Sequence, residues 1–224
     1  MTPMPSSVGN AENEIEDGRQ SPMTSADTAT QAETVGAKSI EAQAAGTQSL
    51  DGLSSEQADL LTTLRQHRFF LRNTARDLTD EQAGMRPSVS ELCIGGLIKH
   101  VAHGEQQWVR FILEGPVAMR SGDKDWADWT EEDYAEYNSA FAMQPGETLA
   151  AILADYDEVA HRTEELLPTL DLNASHPLPV APWFEPGARW SARRVLLHII
   201  AETSQHAGHA DIIRESLDGA KSMG

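Results

Sequence analysis

The chain has 224 residues, 35 of them acidic and 17 basic, for a net charge of −18. This length suits one ordinary domain plus a tail, and the charge argues against nucleic acid or an anionic membrane held by bulk attraction. The single cysteine, Cys93, cannot form an internal disulfide, no apolar run reaches the roughly 20 residues of a membrane helix, and the N-terminus lacks a secretory pattern, so we expect a cytoplasmic protein.

Residues 1–52 are rich in Ser, Thr, Ala, Gln and Glu, hold no Phe, Trp or Tyr, and carry eight acids to two bases. Such a segment buries too little apolar surface to offset its conformational entropy, which predicts a disordered acidic tail. Order is expected from Leu53, with a domain spanning 53–220. Ser54 and Ser55 are N-cap candidates, with no capping box assigned. Leu60, Leu64 and Leu71, flanked by Leu61 and Leu78, predict a helix running to Leu78. Thr79-Asp80-Glu81-Gln82 predicts a new cap and a short helical turn, ended by Arg86-Pro87.

A second long helix is predicted over 90–114, starting at Ser90 and stopped by Gly115-Pro116. With Leu97 at zero, Ile94, Val101, Trp108 and Ile112 cluster within about 60°, while His100 falls at about 300°, His103 at about 240° and Glu105 at about 80°. His100 is thus better placed than His103 to face a bundle interior. Residues 117–146 have no clean period; a short helix is predicted at 131–138, and Trp126 and Trp129 are expected to pack over the bundle end rather than cover a site. A third long helix opens at Gly146-Glu147-Thr148, carries Leu149, Leu153, Tyr156, Val159 and Leu167, and stops at Pro168. Pro177, Pro179, Pro182 and Pro186 rule out helix in the following crossover, which carries Trp183, Phe184 and Trp190. Ser191 caps the last helix and Gly219 ends it. Four long helices without a convincing strand predict an all-α four-helix bundle.

The last helix holds His198, Glu202, His206 and His209. With His198 at zero, Val195 and Ile213 fall at about 60° and Ile199 and Leu217 at about 100°; Glu202, at about 40°, and His206, at about 80°, then lie within the apolar stripe. A carboxylate there is costly unless it is paired or metal-bound. Glu202 and His206, one turn apart, can converge on one cation, and His100 is the best-placed third ligand. Two histidines and a glutamate suit zinc, and also nickel, cobalt or iron(II). His198 and His209 are read as outer partners or surface groups. Cys93 is read as a packed small residue rather than a nucleophile. Arg189, Arg193 and Arg194 are read as a solvated basic face, with a carboxylate-binding role as the alternative.

Specific segments carry a resemblance. These are Leu78-Thr79-Asp80-Glu81-Gln82 with Arg86-Pro87, the run from Gly96 to Trp108 (GLIKHVAHGEQQW), Trp190-Ser191, and the run from His198 to Glu215 (HIIAETSQHAGHADIIRE). Together they make residues 56–219 resemble the DinB-like four-helix metalloprotein superfamily, in the branch that contains mycothiol-dependent maleylpyruvate isomerase and the mycothiol S-transferases. The resemblance implies one metal, zinc foremost, held by His100, Glu202 and His206. Glutamate at position 202, where many superfamily members carry histidine, points to the thiol-using branch. It further implies a low-molecular-weight thiol such as mycothiol as cosubstrate and an electrophilic small molecule as its partner. His198, His209, Glu105 and Trp108 are then candidates for the outer shell or the substrate side. A metal-dependent hydrolase, and a non-catalytic, stress-associated metal-binding bundle acting as a homodimer or through partners, are the alternatives.

Overall fold

The computed structural model describes residues 50–119, 128–139, 141–181 and 183–222. The expected disordered tail falls almost wholly outside them, as do Trp126 and Pro182.

Helix α1 spans Ser55–Thr74. Its cap is Ser54, whose hydroxyl accepts from the Gln57 backbone N–H while the Gln57 side chain accepts from the Ser54 backbone N–H. This is a Ser-x-x-Gln capping box, which the sequence reading missed. The helix also ends a turn earlier than expected. Ala75 caps it, and Asp77 takes the left-handed region at φ 58°, which aspartate tolerates better than most side chains. Leu78 therefore belongs to the connection. Thr79 and Gln82 form the same reciprocal cap on the short helix α2, Asp80–Gly84, as the sequence suggested.

Helix α3 spans Ile94–Glu114, so it starts later than the predicted Ser90. The Ser88 and Ser90 hydroxyls instead accept from the backbone N–H groups of Ser90 and Leu92, a local turn that competes with helix. Cys93 takes the cap position, buried, with its sulfur accepting from the Gly96 N–H at 3.4 Å. A 3-10 turn at Gly115–Met119 follows. Helix α4 spans Glu131–Ser139 and helix α5 spans Leu149–Leu166, capped by Thr148. A two-stranded antiparallel ribbon then pairs β1, Ser175–Pro177, with β2, Arg189–Ser191. The prolines excluded helix there as expected, but the crossover is not strandless. The Arg189 guanidinium donates to the Ser175 carbonyl across the ribbon, and His176 lies 3.2 Å from the Ile112 carbonyl, pinning it to the end of α3. Helix α6 spans Ala192–Asp218 between the Ser191 cap and left-handed Gly219.

The four long helices α1, α3, α5 and α6 form the bundle. Helix α1 packs chiefly on α6, and α3 packs on both α5 and α6. The core has two apolar layers. One joins Leu71, Leu97, Val101, Ile152 and Ile213; the other joins Leu64, Phe111, Val195, Leu196 and Ile199. Between them each long helix contributes a buried polar residue: Arg68 from α1, Glu105 from α3, Thr163 from α5 and Thr203 from α6. Among the described residues no helix is long and apolar enough to cross a membrane.

Candidate metal centre

The site lies where α3 faces α6, beside this polar layer. His100 projects from α3, and Glu202 and His206 project from α6 one turn apart. Each offers a ligand-type atom, and these atoms all lie within 4.8 Å of one another. The His100 and His206 rings meet edge to face at 4.9 Å between centroids. His206 Nε2 is 3.5 Å from Glu202 Oε2, and His198 Nε2 is 3.9 Å from Glu202 Oε1. On its other side His206 turns Nδ1 towards Nδ1 of His209 at 3.4 Å. The bundle thus brings together the three residues that helical spacing and the resemblance selected, with the two remaining histidines flanking them.

The burial of Glu202 differs from the helical-wheel expectation. Thr203, Ala207 and Ala210 are buried, so the face of α6 that meets the core is turned past Glu202. The Glu202 side chain keeps 40% of its exposure, against 12% for His206. It sits at the rim of a cavity rather than in the core, and so carries a smaller desolvation cost than the wheel implied.

Burial favours neutral His100 and His198, and the groups around Glu202 favour its ionised form. Burial is the main force lowering the His100 pKa, to about 4; His206 and His103 add to it and Glu202 opposes it. Burial also lowers the His198 pKa against the pull of Glu202. The hydrogen bond with His206 leads in lowering the Glu202 pKa, burial opposes it, and the charges of His198, His206 and His100 assist. Neutral imidazole and ionised carboxylate are the forms that bind a cation.

The cavity measures about 450 Å³ and is walled largely by aromatic rings. Trp108 stacks on Trp190 at 4.9 Å and 18°, and both rings meet the His198 ring in a T-shaped arrangement, at 4.7 and 5.0 Å between centroids. Phe184 continues this wall from Trp190 to Trp183. Opposite, Tyr137 lines the cavity with its ring edge-on to His100 and in contact with Trp129. Trp129 therefore packs onto the site's wall rather than only over the bundle end. Tyr137 and Phe141 escaped the sequence reading because their segment has no period to place them on a face.

Several candidates have other partners. Glu105 borders the cavity, but its carboxylate accepts from Arg68 and from the Thr163 hydroxyl, not from the histidines. His103 is exposed. The three arginines are engaged: Arg189 on Ser175, Arg193 on Glu56 and Asn173, and Arg194 over the Trp190 ring at 4.2 Å. Among the described residues, neither lysine nor arginine lines the cavity.

No curated protein matches the chain. A family model described as Mycothiol-S-transferase matches residues 59–219, a span that runs from the second turn of α1 to the Gly219 cap and includes all three clustered residues. With the bundle, the two-helix arrangement of the site and this match over most of its length, the chain belongs to the mycothiol-S-transferase family of the DinB-like superfamily.

Proposed function

We propose that the bundle, residues 53–220, is a metal-dependent thiol S-transferase in which His100, Glu202 and His206 hold one divalent cation, with zinc foremost, as the resemblance implies, among the cations this donor set suits. The observation that carries this reading is the convergence of two imidazoles and a carboxylate within 4.8 Å at the edge of an aromatic cavity. The fit is chemical as well as spatial, since His100 is held neutral and Glu202 ionised. When bound, such a cation favours the thiolate form of a thiol, as it favours hydroxide over water. The chain supplies the rest. Glu202 and His206 hold their places through each other, and His209 orients His206 from behind. Trp108 and His198, backed by Trp190, form a wall that excludes water from one side of the reacting sulfur.

In this reading the thiol is a low-molecular-weight one such as mycothiol. The thiol gives up its S–H proton to solvent, and its sulfur then forms a C–S bond with the electrophilic carbon, which either expels its leaving group as an anion or, at an activated double bond, passes the electron pair to the neighbouring carbon, which takes a proton from solvent. An uncharged aromatic electrophile fits the aromatic walls, and the engagement of Arg189, Arg193 and Arg194 disfavours a carboxylate substrate. That separates S-transfer from isomerisation of a dicarboxylate.

The test is conjugation of mycothiol to an uncharged aromatic electrophile by protein loaded with zinc, beside protein stripped by a chelator. Conjugation by the loaded form alone supports the proposal. Neither conjugation nor thiol binding by the loaded form overturns it, and ester or amide turnover without thiol replaces it with a hydrolase.

A further inference from the structure

Between α4 and α5, residues 141–147 pack against α3 beside His100. Phe141 lies flat on the His100 ring, with centroids 3.9 Å apart and planes 23° from parallel. A flat stack of this kind restrains rotation of an imidazole. Turning the ring about its Cβ–Cγ bond would drive its edge into the benzene face.

The backbone behind Phe141 is held to α3 by a built notch. A Cβ at Gly96 would overlap the carbonyl oxygen and carbon of Phe141 and the nitrogen of Ala142, all backbone atoms that cannot move aside as a side-chain end can. Gly95 makes similar room for the Met143 side chain. One turn further along the same face, Lys99 donates to the Ala142 carbonyl at 3.1 Å and to the Glu147 carboxylate at 2.7 Å. Glu147 in turn accepts from the Gln144 N–H. From the other side, Phe141 and Ala142 donate to the carbonyls of Asn138 and Ser139 at the end of α4. Gly96 and His100 are four residues apart, so the notch sits one helical turn below the ring that Phe141 covers.

We propose that Phe141 is a positioning residue for the metal centre: clamped into the Gly96 notch, it fixes the plane of His100 so that the imidazole meets Glu202 and His206 without reorganising. The inference rests on the proposed metal role of His100. It assigns Gly96 and Lys99 to the same device, at one remove from the ligand. Without the stack, His100 can leave its position, and ordering it again costs part of the binding free energy.

The experiment is a zinc competition titration against a chromophoric chelator on wild type, Phe141→Leu, Phe141→Tyr and Lys99→Met. It is accompanied by thermal unfolding of the metal-free proteins and by NMR of the histidine ring protons. Wild type is expected to bind one zinc per chain. Phe141→Leu is expected to bind about 10-fold more weakly, in the range seen for residues that orient ligands, and to lose the ring-current shift of the His100 protons. Phe141→Tyr keeps the stack and restores both. Lys99→Met, which loosens the clamp but leaves both rings intact, is expected to fall between. Zinc affinity unchanged in Phe141→Leu, with the ring-current shift lost, overturns the positioning role while sparing the metal site. No zinc bound by wild type overturns the metal reading and the inference with it. Loss of affinity in the tyrosine variant equal to that in the leucine variant, at equal thermal stability, also overturns it.

Discussion

Two polar clusters border the same cavity, and they are neutralised in opposite ways. In one, Glu105 and Glu164 share Arg68: the Arg68 guanidinium donates to Glu105 at 3.2 Å and to Glu164 at 3.0 Å, while Thr163 donates to Glu105. Burial works against the charge on Arg68, but Glu105 first, with Tyr156 and Glu164, outweighs it and raises its pKa. In the other, Glu202 is approached by His198 and His206, and His100 completes a set made only of ligand-type groups. The first cluster contains its own cation and joins three helices; the second presents lone pairs towards a cavity. A carboxylate beside this cavity is thus not by itself a mark of function: buried Glu105 faces an arginine that neutralises it, whereas half-buried Glu202 faces imidazoles.

Four measurements, ordered by their expected effect on the metal-free protein, break or sharpen this contrast. Arg68→Met leaves Glu105 buried without its cation and is expected to cost about 3–5 kcal/mol in denaturant unfolding. Adding Glu105→Leu should recover much of that loss, because a buried pair replaced as a whole is close to neutral. A loss below about 1 kcal/mol for the single variant would mean that water or another residue reaches Glu105.

The second measurement is the pH dependence of stability. The folded pKa of His100 is about 4, below its ordinary 6.5, so the unfolded chain takes up a proton first. The His100 contribution is therefore fully present above pH 6.5 and is lost as the pH falls towards 4, by up to about 3 kcal/mol. The slope should be missing in His100→Gln. An equal slope in wild type and variant would show that His100 is not the group responsible.

Third, Glu202→Ala should change metal-free stability by no more than about 1 kcal/mol, because its side chain keeps 40% of its exposure and solvent screens its pairing. Elemental analysis is expected to find one metal per chain in wild type and none in this variant. Equal metal in both would remove Glu202 from the site. Smallest of all is Arg193→Gln. It breaks an exposed pair with Glu56 and should leave the unfolding midpoint where it was, whereas a clear shift would make this surface contact a structural one.

Much of this was legible along the chain. The capping signals at Thr79, Thr148 and Ser191 and the stop at Gly219 mark local hydrogen-bond geometry, and local geometry is written in adjacent residues. The Ser54–Gln57 box was equally local and was simply misread. The spacing of Glu202 and His206 follows from helical periodicity, and His100 from its flank position on α3. Other features had no such signal. Phe141 stacks on His100 across 41 positions of sequence in a segment without periodicity, and Arg68 finds Glu105 only when α1 and α3 are assembled.

The sequence by itself determined the long helices, several of their caps, the apolar stripes that make a bundle and the helix faces that carry His100, Glu202 and His206. These depend on interactions within a few residues of one another, which periodicity and caps record. Only the tertiary structure decided that Glu202 stands at a cavity rim, that Glu105 belongs to Arg68, and that Phe141 holds the plane of His100. Those outcomes depend on the rotation of one packed helix against another and on where a loop lands, and both are set by the summed packing of the whole bundle rather than by any local run of residues.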